Sequence, residues 1–210
     1  ESSAASDVYK RQLLNARKLL AQQLDLSYQA LPFCGELMEV RGEDSAWRGA
    51  IERLLGSLSR TLLVDFRYAK QVAQTLDSMH FGVRIVVQAV HSSSPAPPSI
   101  SDSRSLVHKV DVRSDSPFAA WMHHTLSTRF DYTCVDDPAE LTQVESGLTR
   151  AGQVRRPGDR FEKDDRTRVD DRSRWVMGFS TVEKVTELLE AISAEQKTVC
   201  LLYTSPSPRD

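Results

Sequence analysis

GELMEVRGEDSAWRGAIERLLGSLSRTLLV, residues 35–64, decides the fold. GELMEV, residues 35–40, reads as a short strand. Trp47, Ala50, Ile51, Leu54 and Leu55 then recur at helical spacing and mark the buried face of a helix that ends at Gly56. TLLV, residues 61–64, follows as a second strand. Working outward, Ala69, Val72, Ala73 and Leu76 predict a second helix, and VRIVVQAV, residues 83–90, is rich enough in β-branched residues to predict a buried strand.

HSSSPAPPSISDS interrupts next, since its Pro and Ser content suits no regular element, and a linker is expected over 91–104. Beyond it the same order of elements returns. LVHKVDV, residues 106–112, alternates Leu106, His108, Val110 and Val112 as a strand. Pro117 sits at a helix start whose apolar face is Phe118, Trp121, Met122, Thr125 and Leu126. DYTCV is a strand, and DDPAELTQV caps and begins a short helix. Aligning Glu39-Val40-Arg41 with Asp111-Val112-Arg113 brings Leu54 onto Leu126, and one residue of slip brings Val64-Asp65 onto Val135-Asp136. That agreement predicts a duplicated body, with one half over 31–90 and the other over 105–179.

Helices flank this body. Residues 13–26 lack Gly and Pro and place Leu13, Leu20 and Leu24 on one stripe, so an outgoing helix is expected to end near residue 30. Ser180 and Glu183 form a capping box, after which Val182, Val185, Leu189 and Ile192 follow the alternating three-four spacing of a coiled-coil seam. A returning helix is expected over 180–199. The arrangement is that of a mixed α/β domain set between the two strands of an antiparallel coiled coil.

The outermost residues read differently. One reading frame of DVYKRQ, residues 7–12, and one of CLLYTS, residues 200–205, are reverse complements apart from their end bases, as expected of a transposon end ligated to both sides of an insert. Residues 1–12 and 200–210 are accordingly set aside, leaving an interior piece of a longer protein. Setting them aside removes Glu1, Asp7 and Asp210 and an equal number of bases, Lys10, Arg11 and Arg209, so the net charge stays at −2. Such a balance gives no global bias toward nucleic acid or membrane. No apolar run approaches the roughly 18 residues of a membrane helix. Cys34 and Cys134 have neither CxxC nor His spacing, which argues against a disulfide framework or zinc site and makes the cytosol the expected compartment.

LPFCGELMEVRGEDSAWRGAIERLLGSLSRTLLV resembles the first half of the hinge of SMC-type (structural maintenance of chromosomes) proteins. SLVHKVDVRSDSPFAAWMHHTLSTRFDYTC and TRAGQVRRPGDRFEKDDRTRVDDRSRWVMGF are similar to the second half of the hinge and its exit in the MukB-like, SbcC-like ATPase subunit of Wadjet plasmid-defence systems. The resemblance runs over residues 31–179. It implies an SMC-hinge-like domain of two pseudo-repeated halves, homodimerisation through the hinge, closure of a compartment around double-stranded DNA, accessory SMC-complex subunits and a cytoplasmic, nucleoid-associated place. ATP and Mg are implied for the parent protein's heads. No cofactor is expected in this stretch, which carries no GxxxxGK[ST] motif.

The same residues admit other chemistries. Asp136-Asp137, Asp164-Asp165 and Asp170-Asp171 with His123-His124 would make a two-metal nuclease centre only if the carboxylates converged; a nucleotide-binding α/β domain and a protein-interaction domain unconnected to DNA also stand as alternatives. Adjacent helical histidines point about 100° apart and do not chelate together. Cys134, in a strand, reads as a small core residue, and Trp47 and Trp121 read as core anchors. RAGQVRRPGDRFEKDDRTRVDDRSRW holds nine basic residues against six acidic ones. It admits two readings: an ion-pair lattice that fixes the segment onto the domain, and phosphate contact by Arg155, Arg156 and Arg160.

Overall fold

The computed structural model describes residues 2–178 and 195–203. Helix α1, Ser2–Leu24, buries Leu13, Ala16, Leu20, Ala21 and Leu24. It runs outward through residues 2–12, which contain no Gly or Pro, because a helix already nucleated by a packed turn extends at little cost. The expected coiled-coil seam at Val182, Val185, Leu189 and Ile192 lies outside the described residues.

The first half begins with the 3-10 turn Cys34–Leu37 and strand β1, Met38–Val40. Helix α2, Arg48–Leu54, follows, then α3, Gly56–Ser59. Gly56 therefore does not end the helical stretch; it opens a further turn that carries buried Leu58 into the core. Strand β2, Thr61–Asp65, helix α4, Ala69–Ser78, and strand β3, Val86–Val90, complete a βαβ unit with β2 and β3 parallel. Helix α4 packs through Val72 and Leu76, with Tyr68 one turn earlier, while Ala73 is exposed. Strand β3 is shorter and less buried than its β-branched content predicts. It belongs to a two-stranded sheet, so only alternate side chains find cover, and Val86 is left on the solvent face.

The linker holds no regular element between Val90 and Leu106. The second half then repeats the plan: the 3-10 turn Leu106–Lys109, strand β4, Val110–Val112, helix α5, Ala119–Arg129, and strand β5, Thr133–Val135. LVHK is thus helical rather than extended. The Ser105 hydroxyl accepts from the Val107 N–H, and this local cap overrides the alternating pattern, leaving His108 exposed. Crossover from β5 to the parallel β6, Gly147–Thr149, uses only the 3-10 turn Pro138–Gln143. Strands β7, Val154–Arg156, and β8, Arg160–Glu162, extend this sheet as an antiparallel meander in the order β5-β6-β7-β8.

The halves meet at a local pseudo-two-fold axis. Strand β1 pairs antiparallel with its counterpart β4, Glu39 opposite Asp111, the residues that the repeat alignment equates. Flanking bonds obey the same symmetry: Arg41 N–H donates to Lys109 O at 3.0 Å and Arg113 N–H to Leu37 O at 2.9 Å. Two carboxylates facing across a strand pair repel, and Arg41 Nε, 2.9 Å from Asp111 Oδ1, offsets this. In β2 and β5 the equivalence shifts by one residue. Leu63 N–H donates to Pro32 O and Cys134 N–H to Arg104 O, each from the middle of its half's second strand. This is the slip that the repeat alignment requires.

One core serves both halves. Met38, Trp47, Ile51 and Leu55 of the first pack with Leu106, Met122, Leu126 and Leu148 of the second. A second core lies between α1 and the first half alone, built from Leu13, Leu20, Leu24, Leu31, Phe33, Leu62, Val64 and Val72. Strand β2 feeds both, Leu63 into the shared core and Leu62 and Val64 toward α1, as expected for a strand covered on two faces.

Candidate interaction site

Strands β3 and β8 each leave an edge open among the described residues. Strand β3 pairs only with β2, and β8 pairs only with β7. Phe161, the central residue of β8, is 48% exposed, and Val86 at the start of β3 is 37% exposed. Unpaired N–H and C=O groups beside exposed apolar side chains form a template for another strand.

The arginines of the β7–β8 hairpin are engaged unequally. Arg155 is largely covered; its guanidinium donates to Leu141 O at 2.8 Å and to Val144 O, and pairs with Asp159. Arg156 Nε meets Glu162 at 2.8 Å and its Nη1 donates to the Tyr132 hydroxyl at 2.8 Å. The hydrogen bond from Arg156 holds the Glu162 carboxyl below its usual range. Arg160 also pairs with Glu162, at 2.7 Å, but its side chain is 72% exposed. Gly158 turns the hairpin with φ +81°, after Pro157. The hairpin thus gathers Arg155, Arg156 and Arg160 locally, and Arg160 is the one that projects.

Residues 163–178 then cross back over the first half as a strap. Helix α2 grips it through residues whose spacing places them on one side of the helix. Arg53 donates to Asp164 O and, at 2.6 Å, to Thr167 O. The Glu52 carboxylate, 5% exposed, accepts from Val176 N–H at 2.9 Å and Met177 N–H at 3.1 Å. Arg48 donates to Met177 O at 3.1 Å. Between them Gly49 lies so close to Val169 O that any Cβ would collide with it. Burial pushes the Glu52 carboxyl above its usual range, against the pull of the two N–H donors.

The strap ends beside the outgoing helix. Gly178 N–H donates to Gly35 O at 3.0 Å, next to Glu36. Glu36 accepts from Arg17 of α1 at 2.6 and 2.9 Å, with both side chains nearly enclosed and Arg17 also stacked over Phe33. Burial raises the Glu36 carboxyl and Arg17 opposes that shift. Local sequence pattern does not mark out Arg17, Arg48, Glu52 and Arg53. The available signal was an Arg-Gly-Ala-Ile-Glu-Arg helix with charged residues flanking a glycine; the partners, mostly backbone carbonyls and amides far along the chain, leave no sequence trace.

The acidic pairs do not converge. Asp136 pairs with Arg150 at 2.7 Å and Asp137 caps the Ala139 N–H. Asp164 binds Arg166, Asp165 binds Lys163, Asp170 binds Arg168, and Asp171 accepts from Ser173 N–H. Among the described residues no three His, Cys, Asp or Glu side chains gather as metal ligands. Burial pushes the Cys34 and Cys134 thiols up to about 12, which withholds the thiolate needed for nucleophilic chemistry. Trp47 is buried in the shared core, and Trp121 packs against it half-buried. No described helix is long and apolar enough to cross a membrane.

A paired two-half α/β body beside a long helix is an architecture found in solved structures. The chain is similar to the Pyrococcus furiosus Smc hinge domain with an extended coiled coil, with TM-score 0.56, 16% identity, and coverage of 94% of this chain and 70% of that one. It is similar to the Geobacillus stearothermophilus SMC hinge domain, solved as an asymmetric dimer, with TM-score 0.52, 14% identity, and coverage of 96% and 89%. A second Pyrococcus furiosus SMC hinge structure matches with TM-score 0.51, 18% identity, and coverage of 78% and 91%. No family model matches the chain, and no curated protein matches its sequence. The fold is that of an SMC hinge domain.

Proposed function

We propose that the chain is the hinge of an SMC-like ATPase and homodimerises by pairing the open edge of β3 on one copy with the open edge of β8 on the other. The observation that carries this reading is the presence, within an SMC-hinge fold, of two unpaired strand edges on different sheets, each with an exposed apolar residue. One two-fold axis makes both β3–β8 pairs at once and leaves neither edge free to recruit further chains. Light scattering on the full chain at micromolar concentration gives a dimer, and Phe161→Asp shifts it toward monomer. A wild-type chain that is monomeric throughout overturns the proposal.

The resemblance to Wadjet-type subunits extends the reading to the parent protein. There, ATP- and Mg-dependent heads at the far end of the coiled coil drive DNA translocation with accessory subunits, in plasmid defence or chromosome maintenance in the nucleoid. The hinge contributes closure of the DNA compartment and no catalysis. Exposed Arg160, backed by Arg155 and Arg156, is the point of phosphate contact in this reading. Arg160→Glu then lowers affinity for double-stranded DNA and flattens its salt dependence by about one phosphate's worth of slope. An unchanged affinity and slope remove DNA contact from the hairpin and leave the ion-pair lattice as its role.

A further inference from the structure

Glu52, the one acid of α2, is almost completely enclosed; besides an ion pair with Arg48 at 3.7 Å, its two oxygens accept from backbone N–H groups of a segment from the other half. Those two amides, Val176 and Met177, immediately precede Gly178, whose own N–H is held by Gly35 O at 3.0 Å. A Cβ on Gly35 would sit 2.8 Å from Val176 O, so chain and strap are in direct contact there. Glu36, the next residue, is anchored to the outgoing helix through Arg17. The outgoing helix and the strap are therefore both registered on one short turn, Cys34–Leu37, and the strap is held in addition by the buried Glu52 carboxylate.

We propose that Glu52 is a positioning residue that fixes the place and direction of the strap at 176–178 relative to α1, so that the angle between α1 and the end of the strap is set by α2 of the first half rather than by the second half from which the strap emerges. A carboxylate suits this task because it accepts two N–H bonds simultaneously, and charged acceptors bind amides more strongly than neutral ones. The geometry separates two functions. Arg53 holds the near end of the strap, at Asp164 and Thr167, while Glu52 and Arg48 hold the far end, at 176–177. The meaning of that angle rests on the hinge reading above; the latch itself does not.

Hydrogen exchange on the full chain tests the latch. In Glu52→Gln, whose amide has one acceptor oxygen in place of two, the Val176 and Met177 N–H groups exchange roughly tenfold or more faster than in wild type, while β2 and β6 keep their protection. Arg53→Met accelerates exchange around 164–168 and leaves 176–177 protected. Spin labels at the exposed positions Lys18 and Arg172 report one narrow distance in wild type and a broad one in Glu52→Gln. Unchanged exchange at 176–177, or acceleration spread evenly over the whole chain, overturns the proposal, because Glu52 would then be idle or a general support of the core. Oligomeric state is read in the same samples: a monomeric wild type with an intact latch sinks the hinge reading alone, and a dimer with an unaffected strap sinks the latch alone.

Discussion

The two halves start from one plan and solve the burial of their second sheet in different ways. In the first, β2 and β3 are joined through the ten-residue helix α4, and the sheet stops at two strands because α1 covers its outer face with Leu13, Leu20 and Leu24. In the second, the crossover shrinks to Pro138–Gln143 and the sheet grows to four strands by the β7–β8 meander, with the strap following. A duplicated unit thus keeps what makes the pseudo-two-fold pairing, β1 against β4 and a shared core, and diverges where each copy meets its surroundings. Where a helix from outside the repeat is available, the sheet stays small; where none is, the chain supplies strands of its own.

Removing the support peculiar to the first half gives the largest expected effect. Arg17→Met leaves Glu36 buried without its partner, and loss of one member of an enclosed ion pair costs about 3–5 kcal/mol. Urea unfolding monitored by hydrogen exchange should show β2 and β3 losing protection at lower urea than β5 to β8; simultaneous loss would mean that the α1 layer and the shared core are a single cooperative unit. Next come the caps that follow each half's second strand, one residue apart in the repeat alignment. Asp65 accepts from Arg67 N–H and Asp137 from Ala139 N–H, both at 2.9 Å. Asp65→Ala and Asp137→Ala should each cost about 1 kcal/mol, equal within error in thermal melts if the repeat retains its turn chemistry.

The smallest effect concerns a group only one half possesses. Asp102 accepts from Arg104 N–H at 2.8 Å and from Thr133 Oγ1 at 2.9 Å, whereas Ala30 stands at the matching place before the first half. The Arg104 N–H, foremost, holds the Asp102 carboxyl below its ordinary 3.8. A depressed carboxyl contributes stability that is present above 3.8 and lost as pH falls through the lower folded value. Asp102→Asn should therefore lower stability at neutral pH and make unfolding free energy less steep in pH below about 3.8, so that the two chains converge in acid. Glu36 and Glu52 act in the opposite sense: their raised carboxyls lower stability as pH rises through the window above 4.5.

Much of this plan is visible in local sequence. The strand at 61–65, the core of the strand read at 131–135, which forms over 133–135, the helices on the Trp47 and Trp121 faces, and the cap at Asp137 all follow from patterns within a few residues, where propensity and packing agree. Elsewhere local pattern and structure part, each time for a physical reason. LVHK alternates like a strand, but Ser105 offers its backbone a competing bond. VRIVVQAV has the composition of a buried strand, but burial depends on how many strands the sheet holds. Ala73 matches the helical period, yet the stripe that α1 meets runs through Tyr68, Val72 and Leu76. The α2 grip on the strap was invisible because a backbone amide at 176 looks like every other amide until the fold brings it to Glu52.

Two related α/β halves, a linker between them and a leading helix with one apolar stripe were determined by the sequence alone, because periodicity, turn residues and caps act over short distances along the chain. Which strand edges stay open, which arginine projects from the hairpin and where the chain leaves beside α1 were decided only in three dimensions. Each depends on the unfilled partner groups of residues brought together from separate parts of the chain, and no local pattern records what lies across a gap in space.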